Sequence, residues 1–126
     1  MRKCSLEKLN LIFAEIAKNA ELYLPVDEAD GSAAYKKWEE GTEYSNALNT
    51  VRSPKDFFFP QTENLMAFKT EGKNIEVIDT RKALDDFVIF GVRACDVKSF
   101  DVLDRVFLSD PVDSFYALRR SHGVII

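Results

Sequence analysis

The stretch that decides the fold is DFVIFGVRACDVKSFDVLDRVF, residues 86–107. Its continuous apolar run, Phe87–Val92, predicts a strand buried on both faces, because parallel strands covered by helices lose the alternation of apolar and polar residues. Gly91 lies near the end of this run, where a strand often bends or another backbone comes close. Apolar residues then recur at helical spacing as far as Phe107, with Asp96 as the predicted N-cap. The stretch predicts a strand, a tight turn and a helix.

The predicted turn carries three candidate binding residues, Arg93, Cys95 and Asp96. Ligands of open α/β sheets lie beyond the carboxyl ends of strands, where helix N-termini point. Helix amides and a nearby guanidinium favour a thiolate, which could ligate iron or zinc or attack an electrophile. Each residue also has a structural interpretation. Cys95 is then a buried thiol, Arg93 a salt-bridge partner and Asp96 only a cap.

Composition restricts the class of protein. A chain of 126 residues with 46% hydrophobic and 30% charged residues fits a single globular domain. The net charge of −4 argues against nonspecific nucleic-acid binding, which needs a basic surface. No apolar run is long enough to span a bilayer, and charged residues interrupt the N-terminus where a signal peptide would be apolar. Cys4 and Cys95 make no disulfide framework, so we expect a cytoplasmic protein.

The preceding residues predict a mixed α/β fold. Ser5 is expected to cap a helix extending to about Glu21, and Pro25 suggests that the strand Leu22–Val26 lies at a sheet edge. Ala33–Trp38 is predicted to return as a second strand, and two short strands around Glu71–Gly72 to form a hairpin, Leu65–Lys69 with Ile75–Asp79. We expect a mixed sheet with flanking helices and peripheral β-hairpins, built around the strand–turn–helix unit.

The C-terminal residues predict another helix and another strand. Asp110–Pro111 has the pattern of a helix start, and Arg119–Arg120 would serve that helix's dipole or, alternatively, bind an anion. His122, the single histidine, is expected to be a helix-end residue rather than a base or a ligand. Gly123–Ile126 resembles the start of a buried strand. We therefore expect the chain to be the N-terminal fragment, residues 1–126, of a longer protein.

Two segments together resemble one family of iron–sulfur electron-transfer proteins, which includes the beta subunits of sulfhydrogenases and one of the subunits of anaerobic sulfite reductases. The resemblance covers roughly the second two-thirds of the chain. Its motifs are Phe90-Gly91-Val92-Arg93-Ala94-Cys95-Asp96, Leu103-Asp104-Arg105-Val106-Phe107, Asp113, Tyr116 and Arg119–Arg120, preceded by Arg52-Ser53-Pro54-Lys55, Phe57-Phe58-Phe59-Pro60 and Glu63. The family usually has proline where this chain has Ala94. The change to alanine removes the rigid turn that proline would impose.

The resemblance implies a domain that precedes a ferredoxin-like module with two [4Fe–4S] clusters, in a subunit of a multi-subunit hydrogenase or sulfite reductase. The domain would position or dock these clusters against a partner subunit, which could carry a flavin, and would not itself be catalytic. Two cysteines cannot furnish one cubane, so no complete cluster is expected in this chain. Cys95, with Arg93 and Asp96 beside it, could contribute one ligand to a cluster completed by residues outside the chain.

Two other functions stay open at this point. The Arg93–Cys95 loop and the following helix N-terminus could form the pocket of a free-standing domain that binds a small molecule or an anion. A cysteine-nucleophile enzyme would need a base, and His122 is the single histidine available for that role. No catalytic residue is assigned.

Overall fold

The computed structural model describes residues 5–126, which form a mixed α/β fold with two sheets. This confirms the predicted fold class. The helices and strands are α1 (Leu6–Ala17), β1 (Glu21–Asp27), β2 (Ala33–Lys37), β3 (Met66–Glu71), β4 (Asn74–Asp79), β5 (Phe87–Ile89), α2 (Ala94–Phe107), α3 (Ser114–His122) and β6 (Gly123–Ile125), with short 3-10 turns at Pro54–Phe57 and Thr80–Ala83.

The main sheet has the strand order β2-β1-β5-β6. β1 is antiparallel to β2 and parallel to β5, and β5 is parallel to β6. Helices α2 and α3 make the crossover from β5 to β6, which places the start of α2 at the carboxyl end of the parallel strands. Over residues 5–126, none of the helices combines the length and apolar character needed to span a lipid bilayer.

Strand β5 separates two apolar clusters. Phe87 and Ile89 belong to the cluster that contains Phe58, Phe100 and Tyr116. The intervening Val88 belongs to the cluster on the other side, which it shares with residues of α1 and β1: Phe13, Leu22 and Leu24. Successive side chains of a strand point to opposite faces, so this division follows from the backbone. The prediction of a strand buried on both faces is confirmed for Phe87–Ile89, but the strand ends three residues before the predicted Val92.

Pro25 does not mark an edge strand, because β1 lies inside the sheet between β2 and β5. Proline lacks an N–H group and disrupts a ladder that needs it. The register explains why it is tolerated: β5 pairs only with residues 21–23 of β1, whereas Pro25 lies opposite Tyr35 of β2. Pro25 is therefore beyond the part of β1 that has strands on both sides.

Two predicted helix caps are wrong. Helix α2 begins at Ala94 with Arg93 as its N-cap, so Asp96 is the third helical residue and its carboxylate contacts other side chains. Helix α3 begins at Ser114, not after Asp110, because the carboxylate of Asp113 accepts hydrogen bonds from the amides of Phe115 (3.0 Å) and Tyr116 (2.9 Å).

Other local predictions are confirmed or corrected by the strand positions. The hairpin around Glu71–Gly72 is present as β3 and β4. Helix α1 ends at Ala17 instead of continuing to Glu21, because Glu21 already belongs to β1. The C-terminal strand forms as β6, but it lies at the edge of the sheet and is not fully buried.

We predict that Gly123→Ala destabilises the protein. An added Cβ atom would lie 2.6 Å from Cζ of Phe87 and in even closer contact with the ring of Phe58. Both rings belong to the apolar cluster on that side of β5, so the cost should be about 1–3 kcal/mol. Urea unfolding followed by circular dichroism measures it.

The matched control is Val124→Ala on the adjacent, exposed residue. We expect it to change the free energy of unfolding by less than about 1 kcal/mol. Equal midpoints for Gly123→Ala and the unsubstituted chain would contradict the described packing around β6.

Candidate functional site

The turn between β5 and α2 is held by the C-terminal residue of the chain. The amides of Gly91 and Val92 donate hydrogen bonds to the carbonyl of Ile126, at 2.8 Å and 3.1 Å. Gly91 has a φ of +77°, and a Cβ atom there would lie 3.0 Å from Oη of Tyr44. The predicted bend at Gly91 is confirmed, and it directs the chain into the first turn of α2.

Arg93 is fixed by a contact to the loop that follows β2. Its guanidinium donates a hydrogen bond to the carbonyl of Ala47, and the side chain is half-buried. The structural interpretation of Arg93 expected a salt bridge to a carboxylate. The structure shows a hydrogen bond to a backbone carbonyl instead. This contact attaches residues 46 positions apart and orients the N-cap of α2.

Asp96 attaches the segment around Pro54 to the same turn. Its Oδ1 accepts hydrogen bonds from Oγ of Ser53 at 2.7 Å and from Nζ of Lys55 at 3.1 Å. A carboxylate in the first turn of a helix is also favoured by the helix dipole. The two motif segments of the sequence thus meet at Asp96.

Cys95 occupies the second position of α2 and is exposed, with no disulfide. The alternative of a buried structural thiol is therefore wrong. Cys4, the other cysteine, lies outside the described residues. Among residues 5–126, no group of three or more His, Cys, Asp or Glu side chains is arranged to hold a metal ion. The structure brings Arg93, Cys95 and Asp96 together on one helical turn, with Cys95 open to solvent.

A cavity of about 150 Å³ lies beside this turn. Its walls include Tyr35, Ser53, Gly91, Arg93 and Asp96. Burial and the carboxylate of Asp96 raise the pKa of Tyr35 to about 12, so its hydroxyl is neutral at physiological pH, and it donates to the carbonyl of Gly91 at 3.3 Å. The cavity wall carries one cation, Arg93, and one carboxylate, Asp96, which is itself paired with Lys55. Anion binding by this loop stays a prediction.

A second polar cluster connects α2 with α3. Oδ1 of Asp104 accepts hydrogen bonds from the hydroxyl of Tyr116 at 2.7 Å and from Nε of Arg120 at 3.0 Å. Burial opposes the charge on Asp104, but these two hydrogen bonds outweigh it and lower the pKa of its carboxyl group. The Arg120 guanidinium also lies 5.5 Å from the ring centre of Phe58, within cation–π range.

Arg119 and His122 also contact carboxylates. Arg119 donates to Oε1 of Glu63 at 2.8 Å and 2.6 Å, so both arginines of the Arg119–Arg120 pair contact carboxylates and need no bound anion to account for them. His122 is the last residue of α3, with Nδ1 2.6 Å from Oδ1 of Asp86, as expected for a helix-end residue.

Sequence reasoning identifies the three residues of the turn but misses their partners. Ser53, Lys55 and Glu63 stand out in the sequence only as parts of a motif, and their contacts reach 41 to 56 residues along the chain. One feature of the sequence could have indicated these pairs. One motif segment contains basic and hydroxyl residues, and the other contains carboxylates with no assigned partner. Without a sheet order, these groups cannot be paired.

Comparison with known proteins gives one partial similarity. Over 77 residues, 61% of this chain, the sequence is 34% identical to the sulfhydrogenase 2 subunit beta of Pyrococcus furiosus. The aligned stretch spans 22% of that subunit's length. No family model and no solved structure matches the chain. The similarity supports the hydrogenase part of the family resemblance, and it gives no support to the sulfite reductase part.

We predict that Asp104→Asn weakens the acid dependence of stability. The folded-state pKa of Asp104 lies below the ordinary value of 3.8. Its charged form therefore stabilises the fold at pH values above 3.8, and this stabilisation is lost as the pH falls through the folded-state pKa. The variant should lose about 1–3 kcal/mol at pH 7 and show a shallower decline between about pH 5 and pH 2. Urea unfolding at a series of pH values measures both effects.

Asp101→Asn is the matched control, since Asp101 is an exposed carboxylate of the same helix. It should follow the unsubstituted chain at every pH. Parallel pH profiles for Asp104→Asn and the unsubstituted chain would show that the contacts with Tyr116 and Arg120 do not stabilise the fold.

Proposed function

We propose that this chain is one domain of an iron–sulfur electron-transfer subunit in a multi-subunit oxidoreductase of the hydrogenase type. The observation that carries the proposal is the 34% identity over 77 residues to a sulfhydrogenase beta subunit. The domain would be N-terminal in a longer cytoplasmic subunit, would be non-catalytic, and would position or dock [4Fe–4S] clusters of a ferredoxin-like module against partner subunits. The protein's part in such chemistry is orientation and electrostatics.

The described residues do not fit a complete iron–sulfur cluster. A [4Fe–4S] cubane takes four cysteine ligands, whereas the sequence has two cysteines, and Cys95 is the one within the described residues. In the proposal, Cys95 supplies at most one ligand, and the others come from outside this chain. Arg93 and Asp96 would be positioning residues beside it.

The contacts around the first turn of α2 support a positioning role. Arg93 is attached to Ala47 on one side of Cys95, and Asp96 to Ser53 and Lys55 on the other. These contacts fix the backbone of the turn, while the thiol between them is exposed. Side chains that orient a ligand commonly make such contacts around metal sites.

We predict that Cys95→Ser in the complete subunit removes one cluster. Iron and acid-labile sulfide should fall by roughly four atoms each per subunit, and one EPR signal of the reduced protein should disappear. The matched control is Ala94→Ser, because Ala94 is an exposed residue of the same helical turn. This control should keep the full iron content.

The outcomes separate the two parts of the proposal. Unchanged iron and EPR spectra in Cys95→Ser would contradict the role of Cys95 as a ligand, while the domain could still dock clusters held elsewhere. A complete subunit that binds no iron after anaerobic reconstitution would contradict the electron-transfer function itself.

A further inference from the structure

The hairpin of β3 and β4 exposes a row of large apolar side chains. Its register places Phe68 opposite Val77 and Thr70 opposite Ile75, so residues of alternate positions share one side of the two-stranded sheet. We call this side the hairpin face. Its large apolar residues, each 58–69% exposed, are Met66, Phe68, Ile75 and Val77.

The hairpin face belongs to a two-stranded sheet that is separate from the main sheet. A two-stranded hairpin is at best marginally stable in water unless another layer packs against it. Oγ1 of Thr80 closes the base of the hairpin by donating to the carbonyl of Asn64 at 2.6 Å. Arg81 connects this base to α3: it donates to Oγ of Ser114 at 2.9 Å, and its guanidinium lies 5.2 Å from the ring centre of Phe115. The exposure of its apolar side chains shows that the described part of the chain leaves this face largely open.

We propose that the hairpin face binds the hairpin face of a second copy of this chain, which forms a two-fold symmetric dimer. The charge distribution favours an identical partner. Asp79, at one end of the face, is neutralised by Arg81, with Nη2 and Oδ2 2.7 Å apart. Lys69, Glu71 and Glu76 alternate with the apolar residues and therefore lie on the opposite side of the hairpin. An uncharged face lets two copies, each of net charge −4, approach with the least repulsion.

The size of the face fits a weak dimer. At 58–69% exposure, each of the four large side chains presents on the order of 100 Å² of apolar surface. Two faces would together remove roughly 800–1,000 Å² from water, which is below the roughly 1,200 Å² of a stable specific interface and in the range of weak, transient contacts. A two-fold axis makes the contact self-complementary, so that association stops at two copies. Stacked sheets about 10 Å apart would bring the two Phe68 side chains close to this axis.

Sedimentation velocity of the 126-residue chain tests the proposal directly. Over a series from about 5 to about 500 μM, we expect a reversible increase in the dimer fraction, with a dissociation constant in the micromolar range. Phe68→Lys should raise this constant at least about tenfold, because the axis places two like charges near each other. Circular dichroism would verify that the variant keeps its fold.

Ile78→Lys is the matched control on the same hairpin. Ile78 is 41% exposed and alternates with Val77, so it lies on the other side of the sheet and its substitution should leave the dimer unchanged. Three results would overturn the proposal: a monomer at every concentration, a dimer that persists in Phe68→Lys, or equal loss of the dimer in both variants. This association is independent of cluster binding, so its failure would not affect the proposed function.

Discussion

The burial of β5 on both faces is the constraint on which the rest of the structure depends. Phe87 and Ile89 pack with the aromatic cluster beneath α2 and α3, while Val88 packs with α1 and β1. Burial of each such side chain contributes about 1.5–3 kcal/mol, so a strand of only three residues holds two layers in place. The end of β5 also fixes where α2 starts. A displaced β5 would move Cys95 with it.

The burial of β5 on both faces could be predicted because the sequence contains an apolar run without alternation at this position. The hairpin of β3 and β4 was equally predictable from the turn residues between its strands. The order of the strands was not, because neighbours in a sheet are chosen by contacts across the whole chain. Pro25 illustrates the limit. A local rule excludes proline from ladders paired on both sides, but only the register shows that β5 ends before Pro25.

The wrong cap at Asp96 has the same physical origin. An aspartate before a helical pattern predicts an N-cap, but its carboxylate can serve backbone amides or distant side chains with similar energy. Asp113 takes the first option and Asp96 the second, with Ser53 and Lys55 as its partners. Sequence spacing contains no information about donors that lie 41 or 43 residues away. The residues of the turn could therefore be located from the sequence, but the contacts that hold them could not.

The fold explains several of the charged residues that carry the family resemblance, but it does not explain Cys95. Asp104, Arg119 and Arg120 pair within or between motif segments, so their presence follows from the stability of the α2–α3 layer. Arg93 and Asp96 likewise fasten the first turn of α2. The exposed Cys95 packs in neither apolar cluster. A free thiol on the surface invites oxidation and gains no burial energy, which makes Cys95 the motif residue whose identity most requires a function.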